Sequence, residues 1–132
     1  MRKSVIVMMS LAPCLMNFAA AADKLTGSWR VQSIAAAPAF DSSKTRFDVA
    51  EDGRVSSTVG RNSIFGKPEI EGARIGFGAM AATRRACIGA SADLETKYLA
   101  ALNNVQTYRV DGATLTLLDA AGVPAVILAR TK

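Results

Sequence analysis

From residue 26 onward, apolar and polar residues alternate in short runs separated by turn formers, the period-two signature of strands with one dry face. Trp29 and Val31 alternate with Arg30 and Gln32, predicting a first strand over 26–35, and Pro38 with Asp41-Ser42-Ser43 marks a loop over 36–43. Thr45, Phe47 and Val49 lead into Glu51-Asp52-Gly53, and Val55, Ser57 and Val59 lead away from it. Asp-Gly between alternating runs predicts a hairpin, because both residues tolerate positive φ. Residues 60–66 are irregular, with Gly60, Asn62 and Gly66 as turn formers. A second hairpin is expected around Gly72, with Ile70, Ile75 and Phe77 facing inward, whereas residues 78–90 carry no readable period.

Only 91–103 reads as a helix. Ser91 is placed to cap its first turn and Asp93 to complement the dipole there. Leu94, Tyr98, Ala101, Leu102 and Val105 recur at three- and four-residue steps, which predicts one apolar face, while Glu95, Thr96, Lys97 and Asn103 lie mostly away from it. A third hairpin, 105–110 with 113–118, follows around Asp111-Gly112, with Tyr108, Val110, Leu115 and Leu117 inward, and a closing strand spans 126–130. Seven or eight short antiparallel strands and one late helix make a mainly β domain. The expected architecture is a small antiparallel curled sheet, or a lipocalin-like barrel, with one packed α-helix, since curling protects strand edges.

Residues 1–22 stand outside this pattern. Met1-Arg2-Lys3 is followed by an uncharged apolar stretch to Phe18 and then by Ala19 to Ala22. That is the order of a secretory signal, with Ala20 and Ala22 satisfying the small-x-small rule for cleavage before Asp23. The stretch, broken by Pro13 and Asn17, falls short of the roughly 20 residues needed to cross hydrocarbon. Residues 1–22 are therefore expected to be a signal peptide, 23–132 the mature domain, and the periplasm its destination, with no transmembrane span in the mature form. Leu11-Ala12-Pro13-Cys14 has lipobox spacing, so lipid anchoring through Cys14 is the alternative, although proline before the cysteine is a poor fit.

The chain has 16 Lys and Arg against 11 Asp and Glu, and two of the basic residues belong to the first three positions. The remainder are scattered, without the basic stripe of a nucleic-acid binder, so no nucleic-acid partner is expected. The sequence has no histidine. That removes the usual general base, the Ser-His-Asp and Cys-His arrangements, and the commonest zinc ligand. The glycines match neither the dinucleotide fingerprint nor the phosphate loop. Glu69 and Glu71 share a face if they lie on one strand, but a solvated strand face accounts for them without chemistry. No enzyme activity, catalytic residue, metal or cofactor is expected.

Leu25-Thr26-Gly27-Ser28-Trp29, with Val31 and Ile34, resembles the opening L-x-G-x-W-x-V of the META domain, or HslJ heat-shock protein, family. Gly60-Arg61-Asn62 with Gly66 resembles its G-C-N-x-x-x-G segment, and 81–87 (Ala-Ala-Thr-Arg-Arg-Ala-Cys) its M-A-x-T-R-M-A-C segment. Glu95, Tyr98 and Leu102 match its E-x-x-(F/Y)-x-x-x-L helix, and 105–118 its penultimate hairpin. The resemblance covers 25–130 and implies a barrel-like β domain with a helix, in envelope proteins associated with stress and lacking an established biochemical role. Arg61 stands where the family usually has a cysteine, and Arg85 where it usually has methionine. With Cys14 removed, Cys87 has no partner in its own chain, and no disulfide is carried over. It is expected to be buried and inert, with an interchain or redox role as the alternative.

The polar residues singled out are Asn62, Thr83, Arg84 and Arg85. Asn62 is expected to shape a turn, and Arg84 to pair with a carboxylate or cap carbonyls at a barrel end, with anion binding the alternative. Trp29 is expected to anchor the core. With Cys87 these are candidates for structural or interaction roles. The functional expectation is a monomeric, non-enzymatic envelope protein, a stress-related stabilising module whose partner is another envelope protein. The alternative is a barrel that holds a small apolar ligand among Trp29, Phe47, Val49, Phe77, Tyr108, Leu115 and Leu117.

Overall fold

The structure, a computed structural model, describes residues 24–131 except 36, 38, 79 and 83–89. Among the described residues it is mainly β, with ten antiparallel strands in one sheet, one α-helix and a short 3-10 turn at Ser42–Lys44. The strands are β1 (Gly27–Ile34), β2 (Arg46–Val49), β3 (Val55–Thr58), β4 (Ser63–Gly66), β5 (Glu69–Glu71), β6 (Arg74–Gly76), β7 (Ala81–Ala82), β8 (Val105–Asp111), β9 (Thr114–Asp119) and β10 (Pro124–Arg130). Their order is β5-β6-β8-β9-β10-β1-β2-β3-β4-β7, so the first and last strands pair at the centre.

Chain connectivity requires this sheet to curl. β4 lies next to one end of the order and β5 forms the other end, yet only Lys67 and Pro68 separate them. Residues 77–80 likewise lead from β6, near one end, to β7 at the other. The edge-to-face contact of Phe47 with Phe77, ring centroids 6.2 Å apart, joins β2 to the segment after β6 across the interior. Among the described residues the sheet is thus a curled barrel-like wall in which β5 and β7, the two ends of the strand order, do not pair with each other.

Irregular registers keep the wall's dry side filled. In β1, Trp29 and Val31 face inward by alternation, but Ile34 breaks the parity and is also buried. A register shift against β10 between Val31 and Ser33 puts both Gln32 and Ser33 outside and returns Ile34 to the core. The Val31 N–H, beyond the last β1–β2 pair, donates to Thr45 Oγ1 at 2.8 Å. The same device in β8, a shift between Val105 and Thr107, lets Val105 and Tyr108 both point inward.

The helix, α1 (Ala90–Asn104), packs on β10, β1 and β9 through a face that includes buried Tyr98, Ala101 and Leu102. It opens one residue before the expected start, so Ser91 stands inside it and not at its cap. It ends at Asn104, and Val105, placed by the sequence both on the helical stripe and at the start of the third hairpin, is the first residue of β8. Two strands appear where turn formers hid them, β4 within the irregular 60–66 segment and β7 within 78–90. Among the described residues no helix is long and apolar enough to cross a membrane.

Candidate functional site

The opening motif works as a latch. Trp29 is 1% exposed, and its Nε1–H donates to the Leu25 carbonyl at 2.9 Å. The Arg130 guanidinium, brought opposite by the Trp29–Arg130 register, lies 4.1 Å from the indole centroid. Its two terminal nitrogens donate to the carbonyls of Thr26 and Lys24 at 3.0 and 2.6 Å. Gly27 adopts φ +132°, and a side chain there would meet Arg130 at 2.7 Å. Each residue of Leu-x-Gly-x-Trp thus serves the same join of the first strand to the last, and Trp29 is a core anchor as expected.

The Gly60-Arg61-Asn62 turn forms a second structural device. One Glu95 carboxylate oxygen, Oε2, accepts the backbone N–H groups of Arg61 and Asn62 at 2.6 and 3.1 Å. The other, Oε1, accepts Asn62 Nδ2 at 2.9 Å. Gly60 turns at φ +95°, and a Cβ there would lie 2.6 Å from Glu95 Oε2. Asn62 does shape the turn, but by clamping it to α1. Glu95, expected to lie away from the packed face, is half-buried and is the receptor of that clamp. Helical periodicity carried no sign of this. The family motif beginning at Glu95 did.

Beside the clamp lies a cavity of about 80 Å³ lined by Ser57, Val59, Asn62, Ile64, Glu95, Tyr98 and Leu99. Ser57 donates to the Arg46 carbonyl at 2.7 Å, so its oxygen is the acceptor in the 2.6 Å contact with the Tyr98 hydroxyl. Burial pushes the Tyr98 pKa far up, against a smaller opposing effect of the Ser57 hydrogen bond. Tyr98 is therefore held neutral, a structural link from helix to wall and not an acid near neutral pH.

The interior itself is occupied. Trp29, Phe47, Val49, Phe77, Tyr108, Leu115 and Leu117, expected to line a ligand space, are each at most 6% exposed and belong to one continuous core. Larger open spaces lie on the outside. One, about 650 Å³, runs along the rim of β1 to β4 and is lined by inward-facing Val49 and Val55 as well as outward-facing Ser28, Asp48, Ser56 and Phe65. Another, about 770 Å³, lies against β5, β6 and β8. Glu69 and Glu71 line it, both exposed on the same edge strand. Among the described residues no group of three or more Cys, Asp or Glu is placed to hold a metal. Thr83, Arg84, Arg85 and Cys87, with Cys14 and the signal segment, lie outside the described residues.

Compared with known protein families, residues 23–132 match the META domain. The chain belongs to the META domain family. No curated protein matches it. Among solved structures it is similar to a protein from Burkholderia xenovorans, with a TM-score of 0.67 and 21% identity over 98% of this chain and 96% of the other. It also resembles a DUF4847 family protein from Bacteroides vulgatus, with a TM-score of 0.58 and 16% identity over 82% and 94% of the two chains. These likenesses establish the shared curled β fold. The META assignment agrees with the resemblance drawn from the five sequence segments, and it carries no reaction with it.

Proposed function

We propose that this META domain protein is exported to the periplasm, loses residues 1–22 and acts there as a non-enzymatic, stress-related interaction module. On this reading it stabilises or scaffolds another component of the cell envelope. The observation that carries the reading is the filled interior: with Trp29, Phe47, Leu115 and Leu117 packed together, recognition falls to the outer surface. This disfavours the small apolar ligand considered from sequence. The charged start, short apolar core and alanine run support export.

Two measurements test the proposal. Intact mass of the exported protein should correspond to a chain beginning at Asp23, and a retained apolar segment or a diacylglyceryl group on Cys14 would overturn cleavage. Crosslinking in intact envelope, followed by pull-down and mass spectrometry, should enrich a small, reproducible set of envelope components. Recovery of the protein alone, under both stressed and unstressed growth, would overturn the interaction role.

A further inference from the structure

We propose that the latch between β1 and β10 sets the order of maturation: the Ala22–Asp23 bond is hydrolysed while the sheet is still open, and the closed sheet shields it. The step takes up one water and leaves a carboxylate on Ala22 and an amine on Asp23. The proposal rests on the export reading and adds to it when, relative to folding, the signal peptide is removed.

The fixed part of the domain begins almost at that bond. Leu25 is 2% exposed, and its carbonyl accepts the Trp29 indole N–H at 2.9 Å. One residue earlier, the Lys24 carbonyl accepts an N–H of Arg130 Nη2 at 2.6 Å. Between buried Leu25 and the Ala22–Asp23 bond stand Asp23 and Lys24, which span at most about 7 Å when fully extended. That gap is narrower than a single α-helix with its side chains, roughly 10–12 Å across. A peptidase must surround the bond it cuts, so it cannot seat there without lifting Leu25 from the core and freeing Lys24 from Arg130. Cleavage of the closed form therefore runs through local opening, and its rate falls with the population of that opening.

Chain order supplies the interval in which the bond is free. Arg130 holds the carbonyls of Lys24 and Thr26 from 106 and 104 positions further along the chain. β1 finds its β2 neighbour nearby in sequence, but its other neighbour, β10, comes from Pro124–Arg130. A chain that crosses a membrane signal-first presents Ala22–Asp23 long before β10 arrives, and contacts of such separation close late. Processing and closure thus compete for the same few residues, and topology lets processing come first.

The test exposes the full-length chain in mild detergent to purified signal peptidase, either after refolding or directly on dilution from urea. The refolded chain should release its signal peptide at least about tenfold more slowly than the unfolded one. A refolded variant with a Gly-Ser spacer of about six residues between Asp23 and Lys24 should be cut at the unfolded rate, because the bond then stands about 20 Å clear of the latch. Trypsin at the Lys24–Leu25 bond gives a readout independent of the peptidase: the folded parent should be cut there at least about tenfold more slowly than Arg130→Ala. Equal peptidase rates for refolded and unfolded parent, a spacer variant as slow as the refolded parent, or equal tryptic rates for parent and Arg130→Ala would each overturn the proposal. Equal release from refolded and unfolded chains would sink the shield and leave the export reading standing. Release from no form, the unfolded and spacer chains included, would sink the export reading and this order of events with it.

Discussion

Glu95 and Asn62, 33 positions apart, are joined through one carboxylate that grips the turn: Oε1 takes the Asn62 side-chain N–H while Oε2 takes the backbone N–H groups of Arg61 and Asn62. The clamp ties α1 to the segment entering β4. Hydrogen bonds to a charged acceptor are worth about 1.5–3 kcal/mol, so Glu95→Ala should lose about that much stability. Glu95→Gln, which keeps one acceptor oxygen, should lose less. Gly60→Ala tests the same geometry from the other side. It places a Cβ against Glu95 in a left-handed backbone and should cost about 1–3 kcal/mol. Urea midpoints at constant m-value would measure all three, and a Glu95→Ala midpoint equal to the parent's would contradict the clamp.

Arg130 makes the corresponding join at the centre of the sheet. Arg130→Ala should destabilise by about 1–2 kcal/mol through loss of the indole contact, with the carbonyls of Lys24 and Thr26 losing donors as well. Arg130→Lys keeps the charge but not the planar fork, so it should recover less than half of the loss. Full recovery by lysine would reduce the latch to a simple charge effect. The readout is the denaturation midpoint, with hydrogen exchange of the β1 amides reporting whether the loosening is local.

The hairpins around Asp52-Gly53, Gly72 and Asp111-Gly112 were legible in the sequence, because turn chemistry and alternation agree over several residues on each side. β4 and β7 were not. They have four and two residues. Within β4 only Ile64 is buried, too little for a period to register. The burial of Ile34 and Val105 was also hard to place, since bulges shift the parity that alternation relies on. For the candidate residues, Trp29 was readable as a bulky anchor in a clear strand. The Glu95 clamp was hidden because it draws on backbone N–H groups, those of Arg61 and Asn62, whose direction depends on the turn at Gly60.

Packing of α1 gives a contrast between near neighbours. Leu102 is 2% exposed and Leu99 is 37% exposed on the same helix. Leu102→Ala should cost about 2–5 kcal/mol, whereas Leu99→Ala should stay within roughly 1 kcal/mol. Thermal and denaturant unfolding of the two variants would check this. A cost below about 0.5 kcal/mol at Leu102 would mean that the helix docks by another face.

The chain's two tyrosines, Tyr98 and Tyr108, predict how stability changes in alkali. Burial raises the pKa of both, far for Tyr98 and more modestly for Tyr108. In the unfolded chain each phenol ionises near its ordinary value of about 10. Below that pH both states are protonated and the tyrosines contribute no pH dependence. Above it the unfolded state has lost protons that the folded state still holds, so stability must fall as pH rises. Unfolding free energy should therefore be flat in its tyrosine contribution up to about pH 9 and decline from about pH 10 upward. Tyr98→Phe should flatten part of that decline, while lowering stability at neutral pH because Ser57 Oγ loses the Tyr98 hydroxyl as donor. Tyrosinate absorbance gives an independent check: the folded protein should show less ionisation at pH 10 than the denatured chain, and denaturant should release the difference. Half-ionisation of both tyrosines at pH 10 without unfolding would contradict the buried helix-to-wall contact.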